Sequence, residues 1–403
     1  MVKSRSASWT PFILVAMALG GGTMGATMAS PLYPLYEQLW GIHSATVTVV
    51  YVVYMVAVMV AFLFLGRLSD HIDPVVVLRG ALVVLLGGLA LSAAAAGISD
   101  SRTGVAALGL GRILIGFASG TITTAATLGL LMLEPGGRGQ ASLVASITTM
   151  AGFGLGPLVC GLVAALAPMP LVTPYLAAMV LIAAILTGLS LLPDRRHRLA
   201  GRVSLRPRLG MPAGKVRAGF LVASFATFSA YALFSLLASL APSLIETLLP
   251  WRGPAVSGTA VATVLFFSAS VQFPARRLPP HRCLPFALAI LVVGVVLLAA
   301  AVSGGSTVLF ALAVVTIGTG HGLSFMSGLV LVNTISGSTD RAAILASYFS
   351  IAYLGTIVPI LAVGFVADVI GLAAAIVAFC TVFAVFCVVL LALCRRTLSH
   401  TPA

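Results

Sequence analysis

The chain has 403 residues, of which 60% are hydrophobic and only 8% charged, with 22 Lys and Arg against 9 Asp and Glu. A soluble domain carries roughly a quarter charged residues, so there is too little polar side chain here to cover a globule. Disorder, a collagen-like repeat and a disulfide scaffold are excluded by the apolar, aperiodic composition and by 5 Cys in the whole chain. What remains is an all-α polytopic membrane protein.

In chain order, apolar runs long enough to cross a hydrocarbon core of roughly 30 Å are centred near residues 21, 55, 86, 118, 153, 182, 231, 264, 293, 320, 354 and 383. These twelve predicted spans put both termini on one side of the membrane. The basic start and apolar core of residues 1–22 also fit a cleavable signal. The apolar stretch, however, runs on to about Tyr33, which is long enough to span. Pro274, Pro279, Pro280 and Pro285 blur the boundaries of the eighth and ninth spans.

Orientation follows from the cations. A cytoplasmic N-terminus puts 19 of the 22 on that side: Lys3, Arg5, Arg67, Arg79, Arg138, the eight from Arg195 to Arg217, and six from Arg276 to Arg396. Arg102 and Arg252 fall outside, and Arg112 lies within the fourth span. This asymmetry accounts for the formal charge of +13 without a nucleic-acid partner. It places the protein in the cytoplasmic (inner) membrane with both termini cytoplasmic. Trp9, Trp40 and Trp251 fall at predicted span ends, where indole prefers the interface.

The basic stretch 194–217 divides the chain into an N-terminal half, 1–193, and a C-terminal half, 218–403. A shift of 202 residues brings Gly116 and Gly120 onto Gly318 and Gly322, and Pro157 onto Pro359. The expected architecture is therefore two pseudo-symmetric six-helix bundles, a known way to build a transporter whose site lies between repeats.

Three motifs then fall in register. Gly66-Arg67-Leu68-Ser69-Asp70-His71 ends the second span, with Arg79 following. Arg112-x-x-x-Gly116-x-x-x-Gly120 lies in the fourth, and Gly152-x-x-x-Gly156-Pro157-x-x-x-Gly161 in the fifth. Together they resemble the major facilitator superfamily, and the third resembles its drug and metabolite proton antiporters. The resemblance implies a cytoplasmic gate at Gly66, Asp70 and Arg79 and an antiporter motif at Gly152, Gly156, Pro157 and Gly161. It departs from the family where Asp73 replaces a glycine and Pro74-Val75 replaces a basic pair.

Ionisable groups at membrane depth are costly and mark function by default. Arg112 reads either as a cavity cation or as a structural group satisfied by carbonyls of the first span, with Ser119 and Thr123 following on its face. His321, near the middle of the tenth span, is a proton carrier or a substrate contact. Ser224, Thr227, Tyr231, Ser235 and Ser239 form a polar stripe along the seventh span, expected to line water or a substrate path. Thr23, Thr27 and Ser30 repeat it sparsely on the first. The candidate substrate-binding set is thus Arg112, Ser119, Thr123, Thr27, Tyr231, Ser235 and His321. In the family resembled, the first, fourth, seventh and tenth helices line the cavity. Tyr51, Tyr54, Tyr348 and Tyr353 add rings to that wall or serve the core.

No Asp or Glu is predicted at mid-membrane, so if protons drive the protein their carriers are His321, Glu37 and Asp368. A phosphate-binding Gly-x-x-x-x-Gly-Lys-Ser/Thr loop is missing, which argues against an ATP-driven pump. No metal site or other cofactor is expected, since no His or carboxylate joins Cys380, Cys387 and Cys394, and no catalytic set can be assembled. The reading is a secondary transporter, not an enzyme, that exports a small, largely apolar compound by alternating access with proton antiport. It is expected to work as a monomer in the bilayer, with a small-molecule substrate and protons as its partners. The alternative is an importer or facilitator of an organic anion or nutrient. A membrane-embedded sensor or enzyme is a further one.

Overall fold

The computed structural model describes residues 9–65, 72–135, 140–193, 209–214, 216–248, 250, 252–275, 277–336 and 341–398. Its helices are α1 (Trp9–Thr27), a 3₁₀ turn (Ser30–Leu32), α2 (Tyr33–Trp40), α3 (Ser44–Val60) with a π-helical turn (Ala61–Leu65), α4 (Pro74–Ala95), α5 (Ser101–Leu133), α6 (Ala141–Leu166), α7 (Thr173–Ser190), α8 (Val216–Ser239), α9 (Ala241–Leu248), α10 (Pro254–Ala275), α11 (Pro280–Gly304), α12 (Thr307–Ile335), α13 (Arg341–Ile370) and α14 (Leu372–Leu398). Among the described residues there is no strand, and twelve helical stretches are long and apolar enough to cross a membrane, the first being Trp9–Trp40. The protein is an all-α, twelve-span membrane protein.

Local chemistry sets the helix ends. The first span is not one continuous helix. Pro31 removes a backbone donor from the ladder, so α1 stops at Thr27, and α2 restarts after the 3₁₀ turn with Pro34 tolerated in its first turn. Asp73-Pro74, the departure from the family loop, makes a helix start. The Asp73 carboxylate accepts from the Val75 N–H at 2.8 Å, with proline at the first helical position. Asp100 caps α5 likewise, and bonds from the Thr103 hydroxyl and N–H hold its carboxyl below the ordinary range.

The helices form two compact units, Met1–Ala29 with Val56–Arg206, and Ser30–Met55 with Pro207–Ala403. In each unit close backbone approach requires glycine. In the first, a Cβ on Gly120 of α5 would lie 2.7 Å from Ala61 Cβ in the π-helical turn. One on Gly156 of α6 would lie 2.5 Å from the Met24 carbonyl oxygen of α1. In the second, Gly318 of α12 stands against Val264 of α10, where a Cβ would be 2.6 Å from the carbonyl oxygen. Gly355 of α13 abuts the Phe228 carbonyl of α8. Fourth span on second and fifth on first are thus matched by tenth on eighth and eleventh on seventh. The packing repeats where few side chains do.

Gly156 and Gly109 separate packing from helix propensity. No atom comes within 4 Å of a Cβ at Gly109, so Gly109→Ala is expected to be neutral or to gain up to about 1 kcal/mol. Gly156→Ala is expected to cost about 1–3 kcal/mol by overpacking. Thermal unfolding in detergent, followed by size-exclusion fluorescence, checks this, and equal melting of both variants would refute the close contact.

Candidate functional site

In the first unit the polar residues knit α1 to its neighbours. Arg112 is only 2% exposed, and its Nη2 donates to the Ala26 carbonyl of α1 at 3.1 Å. Ser119 Oγ donates to Gly22 O at 3.1 Å, and Thr27 Oγ1 reaches across to Phe153 O of α6 at 2.9 Å. Thr123, half-buried, donates to Ser119 O within its own helix at 2.8 Å. The structural alternative for Arg112 therefore has a visible partner in the Ala26 carbonyl.

Gly152, Gly156, Pro157 and Gly161 are all buried on α6, the first two against α1. Arg79 of α4 donates from Nε to Leu189 O at 3.0 Å and from Nη2 to Leu192 O at 2.6 Å. It thereby adds a charged donor to carbonyls at the end of α7, where a cation is favoured. Gly66 and Asp70, with the rest of that loop, lie outside the described residues, as do Arg138 and the linker residues 194–208.

The second unit brings together a ring cluster around His321. Its imidazole stacks on Tyr231 of α8 at 5.5 Å between centroids and packs against Phe234 at 5.6 Å. Phe325 and Tyr353 stand 6.2 and 5.9 Å from Tyr231. His321 Nδ1 lies 2.8 Å from Ser268 Oγ of α10. Tyr231 and His321 are half-buried. Ser268, Phe234 and Phe325 were not singled out by the sequence, because the contacts that draw them in join spans far apart in the chain. A serine one turn before Gln272 was the available signal for Ser268, though Ser257, Thr259, Thr263 and Ser270 share its span.

The polar stripe on α8 is corrected by the structure. Ser224, Thr227, Ser235 and Ser239 have no exposed surface. Ser224 and Ser239 donate to carbonyls four residues back, and Thr227 shares a 2.7 Å bond with the Tyr348 hydroxyl. Ser235 receives the Tyr51 hydroxyl at 3.2 Å. In an apolar setting a hydroxyl satisfied by backbone or by a neighbouring helix costs little to bury, so spacing alone does not distinguish a wet face from a knitted one. Of the stripe, only Tyr231 retains exposure. Tyr348 is core, packed among Phe220, Leu288 and Ile344.

A second polar group in this unit fastens Ser30–Met55 to the C-terminal helices. Ser30 Oγ donates to Ala238 O, and the Ser243 hydroxyl of α9 donates to Glu37 Oε2 of α2 at 2.7 Å. The Ala45 N–H, in the first turn of α3, donates to Asp368 Oδ1 of α13 at 3.3 Å. One helical turn away, Gly364 lies directly against the Thr48 side chain, leaving no room for a Cβ. Asp368 and His43 are within electrostatic reach of Glu37. Both carboxylates singled out in the sequence as candidate proton carriers therefore belong to one polar group of the second unit.

The chain matches the family described as the Major Facilitator Superfamily over residues 15–358. Its backbone is similar to the crystal structure of a bacterial homolog to the human lysosomal transporter Spinster, in an inward-facing and unoccupied conformation, with a TM-score of 0.73, 12% identity and 100% of each chain covered. It is also similar to a POT family transporter in complex with 5-aminolevulinic acid, with a TM-score of 0.74, 11% identity and 96% of each chain covered. At these identities the likeness speaks for the fold alone. No curated protein matches the sequence. With the family matched over most of its length and the twelve-span fold on the page, this chain belongs to the Major Facilitator Superfamily and is a multi-pass membrane transporter.

Proposed function

We propose that the protein exports a small, largely apolar compound across the cytoplasmic membrane by alternating access, in exchange for protons, as a monomer with both termini cytoplasmic. In this reading the halves 1–193 and 218–403 rock about the site, tied by the basic linker 194–217. The ring cluster of Tyr231, Phe325 and His321 holds the compound. Arg112, Ser119, Thr123 and Thr27 order the helices of the first unit, and Ser235 those of the second. Gly66, Asp70 and Arg79 gate the cytoplasmic side, and the glycines of α6 give the hinge.

The observation that carries the proposal is the closure. The first two spans are divided between the compact units, and Ser30–Met55, which belongs to the second, combines buried apolar residues such as Leu32, Tyr36 and Val47 with polar bonds to α9 and α13. Polar bonds of this kind can be exchanged for water without large loss, which a reversible gate requires. Two of the acceptors are carboxylates. Neutralising Asp368 would remove a negative charge from the N-terminus of α3, a pairing worth about 0.3–1 kcal/mol, and loosen this fastening. A proton falling through about 120 mV delivers roughly 3 kcal/mol, enough to sustain a compound gradient on the order of 100-fold.

Uptake of an organic anion or nutrient is the second reading, favoured by the buried guanidinium of Arg112. The similar POT transporter is described in complex with 5-aminolevulinic acid.

Everted vesicles energised to an acid interior, with quenching of acridine dye fluorescence as the pH readout, separate the two. A panel of dyes and antibiotics is expected to yield compounds that dequench the signal and accumulate only while the gradient stands. Accumulation that survives collapse of the gradient would rule out antiport.

The closure has its own reporter. In a background with the five native cysteines replaced, T48C is expected to react with an impermeant maleimide about two- to fivefold faster when Asp368→Asn is added, matching the lost helix-terminus interaction. An unchanged rate would remove Asp368 from the gate.

For Arg112, Lys keeps the charge and loses the planar fork. If the bond to Ala26 is its main role, Arg112→Lys should retain folded yield and most transport, whereas Arg112→Ala should lose yield. Full transport by a well-folded Ala variant would refute both roles.

A further inference from the structure

We infer that Ser268 is a positioning residue that locks His321 in its Nε2–H tautomer, so that the site presents one neutral hydrogen-bond donor beside the Tyr231 and Phe325 rings and takes a ring-bearing compound with a hydrogen-bond acceptor. For the substrate class, though not for the lock, this rests on the exporter reading.

The argument is one of proton placement. Ser268 Oγ and His321 Nδ1 are 2.8 Å apart, and either atom can donate. Helical hydroxyls elsewhere in the protein commonly turn back to the carbonyl four residues before, as in Ser224, Ser239, Thr259 and Ser327. Ser268 does not. Among the described residues its hydroxyl has His321 Nδ1 as its one partner, and the residue is 1% exposed. Were Nδ1–H the donor, the serine proton would be buried with no acceptor, the costly arrangement for a polar group. The serine therefore donates, Nδ1 accepts, and the neutral imidazole carries its proton on Nε2.

The surroundings hold both partners in place. Gly322, the residue after His321, stands so close to the Ser268 carbonyl that a Cβ there would overlap it. Gln272 Nε2 donates to the same carbonyl at 2.9 Å. Tyr231 and Phe234 pack on the ring from α8. With Nδ1 occupied and rings against it, what the half-buried imidazole offers a ligand is Nε2–H. A carbonyl, ether or phenolic oxygen on a planar molecule can accept that bond while the molecule lies against Tyr231. An organic cation finds no acceptor in this imidazole.

Protein labelled with [15N]histidine and held in nanodiscs, with no ligand added, tests the lock, the His321 signals being identified by their loss in His321→Gln. Wild type is expected to show a protonated Nε2 and a hydrogen-bonded, unprotonated Nδ1. In Ser268→Ala the Nδ1 resonance should move to that of an unbonded nitrogen and the Nδ1–H form should grow several-fold, and Ser268→Thr, which retains the hydroxyl, should restore the wild-type pattern. A wild-type proton on Nδ1, an Ala spectrum identical to wild type, or a Thr variant behaving like Ala would each overturn the inference. Because the spectrum needs no substrate, a failed export assay would sink the exporter reading and leave the lock standing.

Discussion

Lipid tails are as apolar as leucine, so burying apolar surface does not draw these helices together; dispersion at short range and hydrogen bonds must do it. Everything else in the protein depends on how closely the backbones can approach. Where Gly156 meets Met24, Gly322 meets Ser268 and Gly364 meets Thr48, the space left for a side chain is nil. Each of these contacts also sets the register of a polar group nearby: Thr27 on Phe153, His321 on Ser268, Asp368 on the start of α3. The small residues serve as spacers that fix where the few hydrogen-bonding side chains can reach.

That constraint explains how polar groups are distributed. Most hydroxyls are consumed in the walls, by carbonyls one turn back or by a facing helix, and the guanidinium of Arg112 is tied to Ala26. A membrane protein that satisfies its polar groups this thoroughly has few left for a ligand. Tyr231 and His321 stand apart because they are only half-buried and lie among rings. If the proposed site lies here, it would recognise shape and aromatic surface, with one or two directed bonds deciding orientation.

The fold was almost wholly legible in the sequence. Twelve apolar runs and the repeated Gly116, Gly120, Gly318 and Gly322 carry it, because length, hydropathy and small-residue spacing are local properties. The site was only partly so. His321 and Tyr231 announce themselves as polar groups at membrane depth, but helical spacing could not tell Ser235, sealed against Tyr51, from Tyr231, which retains exposure, since facing is decided by which helix packs alongside. Ser268 was missed for the same reason. Asp73 was legible as a departure from a motif, but its meaning as a helix cap became clear only once α4 was seen to start at Pro74.

The placement of the carboxylates bears on coupling. A buried mid-membrane acid must pay desolvation whenever it is charged and unpaired, whereas Glu37 and Asp368 lie in a closure where each charged form has a donor, the Ser243 hydroxyl for one and the Ala45 N–H for the other. The Asp368 bond ties α13 to the start of α3 and the Glu37 bond ties α2 to α9, so both carboxylates help hold Ser30–Met55 within the second unit. Under the exporter proposal, coupling at these carboxylates would leave His321, with Nδ1 bonded to Ser268, to orient the compound.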